Sequence, residues 1–169
     1  QRLTTVLSAL EQDGHINGWE VLLVNDASSD NSAEVIQAII NADPQHFLTH
    51  THAEKRGQKG AIMTGFAAAR GRISVTMDAD LQVLPEELPS VLAPMLDEGY
   101  KMVCTYNDPV RAAYYKQRYD RSTVSFIGNI FMRLIHNSPV RDAGSNFMAL
   151  ETRYIRGVAL LHNDQRYLL

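Results

Sequence analysis

Ile73-Ser-Val-Thr-Met-Asp-Ala-Asp-Leu-Gln82 is the stretch from which the rest of the chain can be read. Ile73 to Met77 are mostly β-branched or apolar, the composition of a buried strand. The run breaks at Asp78-Ala79-Asp80, and Pro85 with Glu86 and Glu87 opens a helix soon after. Two carboxylates just past the carboxyl end of a buried strand cannot both enter a core, because an isolated buried carboxylate is costly unless a charge partners it. A divalent cation is one such partner. Mg²⁺ or Mn²⁺ takes oxygen ligands, is held by one or two carboxylates and keeps positions open for substrate phosphates. A solvated strand-end loop is the plain alternative.

Working outward, strands and helices alternate. Leu3, Val6, Leu7 and Leu10 recur at helix spacing, and Trp19–Asn25 reads as a buried strand. The polar turn Asp26–Ser32 follows, rich in helix N-cap residues. Val35, Ile36, Ile39 and Ile40 give the next helix one apolar face, and Phe47–Thr51 is a weaker strand. Arg56-Gly57-Gln58-Lys59-Gly60 leads into a helix carrying Ile62, Phe66 and Ala69. After the central strand come the Pro85 helix, to about Asp97, and a short strand in Lys101–Tyr106. This alternation predicts an α/β fold with a mainly parallel sheet flanked by helices. Ligands of such sheets bind at the carboxyl ends of the strands. Asp26, Arg56–Gly60 and Asp78–Gln82 are therefore expected on one rim.

From Arg111 the character changes. Arg111, Lys116, Arg118 and Arg121 cluster, and an apolar helical pattern runs from Phe126 to Ile135. A loop through Asp142, Ser145 and Phe147 then leads to a last helix near Glu151–Leu161. The chain of 169 residues, 45% hydrophobic and 21% charged, suits one globular domain. A net charge of −3 gives no electrostatic reason to expect nucleic acid. Cys104 is the only cysteine, which excludes a disulfide framework and favours a reducing compartment. No apolar run approaches the roughly 18 residues of a membrane span. The sequence begins inside a helical pattern and ends without a stop signal, so both ends read as cut.

Several motifs now stand in order. Val24-Asn25-Asp26-Ala27-Ser28-Ser29-Asp30, Gly57 to Gly65 with Ala69-Arg70-Gly71, and Asp78-Ala79-Asp80-Leu81-Gln82 with Pro85-Glu86 are followed by Arg121, Ser125 and Asn129, then Asp142, Ser145 and Phe147. Together they resemble family-2 glycosyltransferases of the GT-A fold, closest to those that use a polyprenyl (dolichyl or undecaprenyl) phosphate. Two departures stand out: Asn25 replaces the first Asp of the family's turn, and the family's first strand is absent.

The resemblance implies a single GT-A catalytic domain over 1–169, with a nucleotide-sugar half at 1–106 and an acceptor half at 107–169. It implies an inverting enzyme that takes a UDP- or GDP-sugar and passes the sugar to a polyprenyl phosphate at the cytoplasmic face of a membrane. Asp78, Asp80 and Gln82 would hold Mg²⁺ or Mn²⁺. Asp26, Gly57, Lys59 and Asp78 would bind the nucleotide; Arg118, Arg121, Ser125 and Asn129 the acceptor. Asp142 and Asp80 would serve catalysis, Asp142 as a base or as the group orienting the acceptor.

Plainer readings stand beside these. Asp26 could be a helix N-cap, Lys59 a solvated helix-start charge, and the arginines a solvated face or one lying on anionic lipid. Cys104 is expected in the core, and His50 and His52 as edge or loop residues. A saccharide acceptor, a non-catalytic nucleotide-sugar-binding domain and a haloacid-dehalogenase-type phosphohydrolase are the competing functions. The last fits poorly, because Gln82 stands where that class has Thr or Val.

Overall fold

A computed structural model of the chain describes residues 1–81, 83–105 and 147–161. The elements are α1 (Arg2–Gln12), β1 (Val21–Asn25), α2 (Ser32–Ala42), β2 (Phe47–Thr51), α3 (Gly57–Ala68) and β3 (Ile73–Thr76). A 3₁₀ turn (Pro85–Glu87), α4 (Leu88–Asp97), β4 (Met102–Cys104), β5 (Met148–Glu151) and α5 (Thr152–Leu161) follow. They form two compact units, Gln1–Ser74 with Leu150–Leu169, and Val75–Ala149.

In the first unit β1 and β2 pair in parallel, with Val21 opposite Phe47 and Asn25 opposite Thr51. Parallel neighbours require a crossover, and α2 supplies it. The entry to β1 is pinned by Trp19, which stacks on His46 with ring centroids 4.0 Å apart and donates its indole N–H to Glu11. Behind it, Glu20 accepts from the Arg70 backbone N–H and from Arg70 Nε, both at 2.6 Å, and from the Gly71 N–H at 3.2 Å. Burial alone would raise the Glu20 carboxyl, but these donors outweigh it and hold the carboxyl below its ordinary value. The connection from α3 to β3 is thereby tied to the start of β1.

α3 packs on β1 and on α5. The start of α5 is stitched to β3: the Thr152 backbone N–H donates to the Arg72 carbonyl, and the Thr152 hydroxyl donates to the Gly71 carbonyl and lies 2.7 Å from Ser74 Oγ.

The second unit is built around α4. Leu88, Val91, Leu92 and Met95 fall at helix spacing and are all buried. α4 packs on β4, and Phe147 and Ala149 are buried in the same unit. Cys104 is exposed on β4 rather than in a core, because Met102 and Cys104 share the outward side of a strand whose inward residue is Val103.

β5 was not expected; its segment reads as a loop before the last helix. It lies between β3 and β4 in a three-stranded sheet. Thr105, just past β4, donates to the carbonyl of Phe147, just before β5, and Thr152, just past β5, donates to that of Arg72, just before β3. β5 therefore runs antiparallel to both neighbours. Met-Ala-Leu-Glu favours helix by intrinsic preference, and its position inside a sheet overrides that preference.

Candidate functional site

β1 delivers its last residues into a tight polar turn. Asn25 is buried and its Oδ1 accepts the Ser28 N–H at 3.0 Å, closing the turn, while Ala27 takes a positive φ of 52°. Asn25 thus has a structural task that a neutral amide performs without adding a second charge beside Asp26. Asp30 accepts the Ser32 N–H at the start of α2, and the hydrogen bonds from Ser32 lower its pKa.

Asp26 is the centre of this site. Its Oδ1 accepts from His52 Nδ1 at 2.6 Å and from the Arg56 N–H at 2.8 Å; its Oδ2 accepts the Gly57 N–H at 2.8 Å. Asp26 is not itself a helix N-cap: Asn31 holds that position for α2 and Arg56 for α3, and the Asp26 carboxylate instead reaches across to the two N–H groups where α3 begins. The His52 hydrogen bond, then that from Arg56, holds its pKa below the ordinary carboxylate range. Among the described residues three of about four acceptor positions of the carboxylate are used, which leaves one on Oδ2. Gly57 has φ +75°, and a Cβ placed there would meet nothing within 4 Å. Backbone conformation, not crowding, therefore calls for glycine.

His52 stands in the loop one residue past β2, as expected, but it is buried and not a solvated loop side chain. Its backbone N–H extends the β1–β2 ladder by donating to the Asn25 carbonyl, and its ring is buried. Nε2 lies 2.8 Å from Thr64 Oγ1 on α3, and the His50 ring meets it edge-on at 5.5 Å. The strand register gave the available signal: Asn25 opposite Thr51 puts position 52 beside position 26.

Lys59 is exposed in the first turn of α3. In the second unit, Asp78 and Asp80 are exposed in the turn after β3. The chain does not continue extended beyond them. Leu81 has φ +59° and is 56% exposed, so the extended backbone of β3 is not continued through Leu81. A non-glycine residue held in this region is strained by about 1–3 kcal/mol, a condition met most often in functional loops. Hard carboxylate oxygens on an accessible turn fit Mg²⁺ or Mn²⁺. Among the described residues no group of three or more His, Cys, Asp or Glu side chains is arranged to hold a metal. Gln82, Arg118, Arg121, Ser125, Asn129 and Asp142 lie outside the described residues.

The parallel pair whose first strand leads into Asp26, and β3 with Asp78-Ala79-Asp80 after it, carry two of the motifs that resemble the GT-A fold. Residues 3–155 match the sequence profile of glycosyl transferase family 2, and the chain belongs to that family. It is 33% identical over 148 residues to the undecaprenyl-phosphate 4-deoxy-4-formamido-L-arabinose transferase of Yersinia enterocolitica serotype O:8 / biotype 1B (strain NCTC 13174 / 8081). That similarity covers 88% of this chain and 43% of the relative, so the chain spans less than half of that protein's length.

Proposed function

We infer that this chain is the catalytic part of an inverting, metal-dependent glycosyltransferase that moves a sugar from a nucleotide-diphosphate sugar to a polyprenyl phosphate at the cytoplasmic face of a membrane. One observation carries the reading: the 33% identity, over 88% of the chain, to a transferase named for its undecaprenyl-phosphate substrate. The donor half is 1–106 and the acceptor half 107–169.

On the donor side, the remaining acceptor position of Asp26 takes a hydrogen bond from the base or ribose of a UDP- or GDP-sugar. Gly57 lets the backbone turn at the α3 start so that its N–H holds Asp26, and Lys59 adds charge toward the diphosphate. Asp78, Asp80 and Gln82 would hold Mg²⁺ or Mn²⁺, which when bound neutralises charge on the departing diphosphate.

On the acceptor side, Arg121 and Ser125 stand four residues apart in sequence and receive the phosphate, assisted by Arg118 and Asn129. An acceptor phosphate is already ionised, so it needs placement more than proton removal. Asp142 orients it. A phosphate oxygen bonds to the anomeric carbon from the face opposite the diphosphate, the sugar–diphosphate C–O bond breaks, and the nucleoside diphosphate leaves with that electron pair.

The test is turnover of UDP- and GDP-sugars with undecaprenyl phosphate across a Mn²⁺ and Mg²⁺ titration, comparing wild type with Asp80→Ala. The expected result is metal-dependent turnover that Asp80→Ala abolishes while its melting curve stays unchanged. Full turnover by Asp80→Ala would remove the metal role. A folded wild type that transfers to a saccharide and never to the lipid phosphate would remove the acceptor assignment.

A further inference from the structure

We propose that His52 is a positioning residue of the donor site: it grips Oδ1 of Asp26 from beneath and aims the remaining acceptor position of Oδ2 at the nucleotide. The inference rests on the donor role given to Asp26 above, and goes beyond it by assigning a task to a residue outside the family motifs quoted in this chain.

The geometry separates a hidden holder from an accessible acceptor. The His52 side chain keeps 1% of its exposure and the Asp26 side chain 23%. Both ring nitrogens of His52 are engaged, Nδ1 with Asp26 and Nε2 with Thr64. Because Asp26 is ionised at neutral pH, Nδ1 carries the proton, and in the neutral ring Nε2 accepts from the Thr64 hydroxyl.

Burying a polar ring is costly unless its nitrogens are satisfied, and an apolar side chain could fill the same volume. What an apolar residue could not do is fix a carboxylate. A carboxylate held only by the Arg56 and Gly57 N–H groups, both at the start of one helix, can still pivot about that edge. The third bond, anchored through the ring to Thr64 seven residues further along α3, removes that freedom. Holding a group in its working orientation before the ligand arrives is how a supporting residue raises affinity without touching the ligand.

Two near-isosteres divide the ring's functions. The side-chain amide N–H of Asn reaches about where Nδ1 stands, and that of Gln about where Nε2 stands. Binding of UDP and of GDP, each with Mn²⁺, is measured by calorimetry for wild type, His52→Asn, His52→Gln, Asp26→Asn and the His52→Gln/Asp26→Asn double variant. Circular dichroism establishes that each is folded. Since a hydrogen bond to a charged group is involved, His52→Gln is expected to weaken the preferred nucleotide about tenfold. His52→Asn should stay within about threefold of wild type, because the bond to Asp26 is restored. In the Asp26→Asn background, His52→Gln should add no further loss.

Equal losses in His52→Asn and His52→Gln, or an undiminished loss in the double variant, would overturn the inference and leave the donor reading standing. A wild type that binds neither nucleotide removes the donor reading, and this inference with it. Should His52→Gln fail to fold, the histidine ¹⁵N spectrum of the wild type decides. A proton on Nδ1 of His52 and a shift on adding nucleotide support the role; a proton on Nε2 alone, or an unmoved signal, refutes it.

Discussion

Three glycines separate the conformational demand at Gly57 from its functional one. Gly14, Gly57 and Gly99 have φ of 76°, 75° and 74°, and a Cβ at any of them would meet nothing within 4 Å. Replacing each by Ala therefore imposes the same penalty with no packing term. The left-handed region costs an L-residue roughly 1–2 kcal/mol. The lower unfolded-state entropy of Ala offsets about 0.4–1 kcal/mol of that. Each variant should lose about 1 kcal/mol, a fall in Tm of about 2–4 °C for a chain of this size. Only Gly57 donates its N–H to Asp26, so only Gly57→Ala should also weaken nucleotide binding, by about tenfold, as φ relaxes and that N–H swings off Oδ2. Calorimetric melting and nucleoside diphosphate titration read the two effects separately. If Gly14→Ala or Gly99→Ala weakened the nucleotide as much, the effect would be general loosening and the reasoning would fail. Unchanged binding by Gly57→Ala would show that its N–H does not support the site.

Acid should destabilise the protein in a defined window. Glu20, Asp26 and Asp30 all have carboxyls lowered from their ordinary values of 4.5, 3.8 and 3.8. Groups with depressed folded-state pKa values contribute fully above their ordinary values, and that contribution is lost as pH falls through the lower folded ones. Urea unfolding should be flat with pH above about pH 5 and weaken below it, with Asp26→Asn flattening the acid limb; an acid limb unchanged in that variant would contradict the assignment. Thr152→Val should cost about 1–3 kcal/mol by depriving the Gly71 carbonyl and Ser74 hydroxyl of a buried partner, and Thr152→Ser should recover most of it. Equal midpoints for Val and Ser would show the hydroxyl to be irrelevant.

Periodicity made most of the fold legible. The apolar spacing in α1 and α2 and the apolar runs of β1 and β3 are signals carried within single elements. Asp-Ala-Asp was legible for a related reason, since carboxylates abutting an apolar run are conspicuous. β5 was not, because the preference of Met148–Glu151 is helical and only its neighbours in space make it a strand. His52 escaped for another reason. Its burial depends on the register between two strands, and a histidine after a weak strand carries no mark of the carboxylate it will meet. Cys104 was misplaced because a three-residue strand has too few alternations to reveal its inward side.

The first compact unit is assembled from both sides of the second: Gln1–Ser74 and Leu150–Leu169 enclose Val75–Ala149 in the chain order. No single cut in the gene can therefore deliver the first unit intact, since any C-terminal truncation long enough to remove the second also removes α5. A protease nick inside 75–149 is a different event. It severs the polypeptide but spares the α3–α5 packing and the bonds from Thr152 to Gly71, Arg72 and Ser74, which would keep the two pieces of that unit together as a complemented whole.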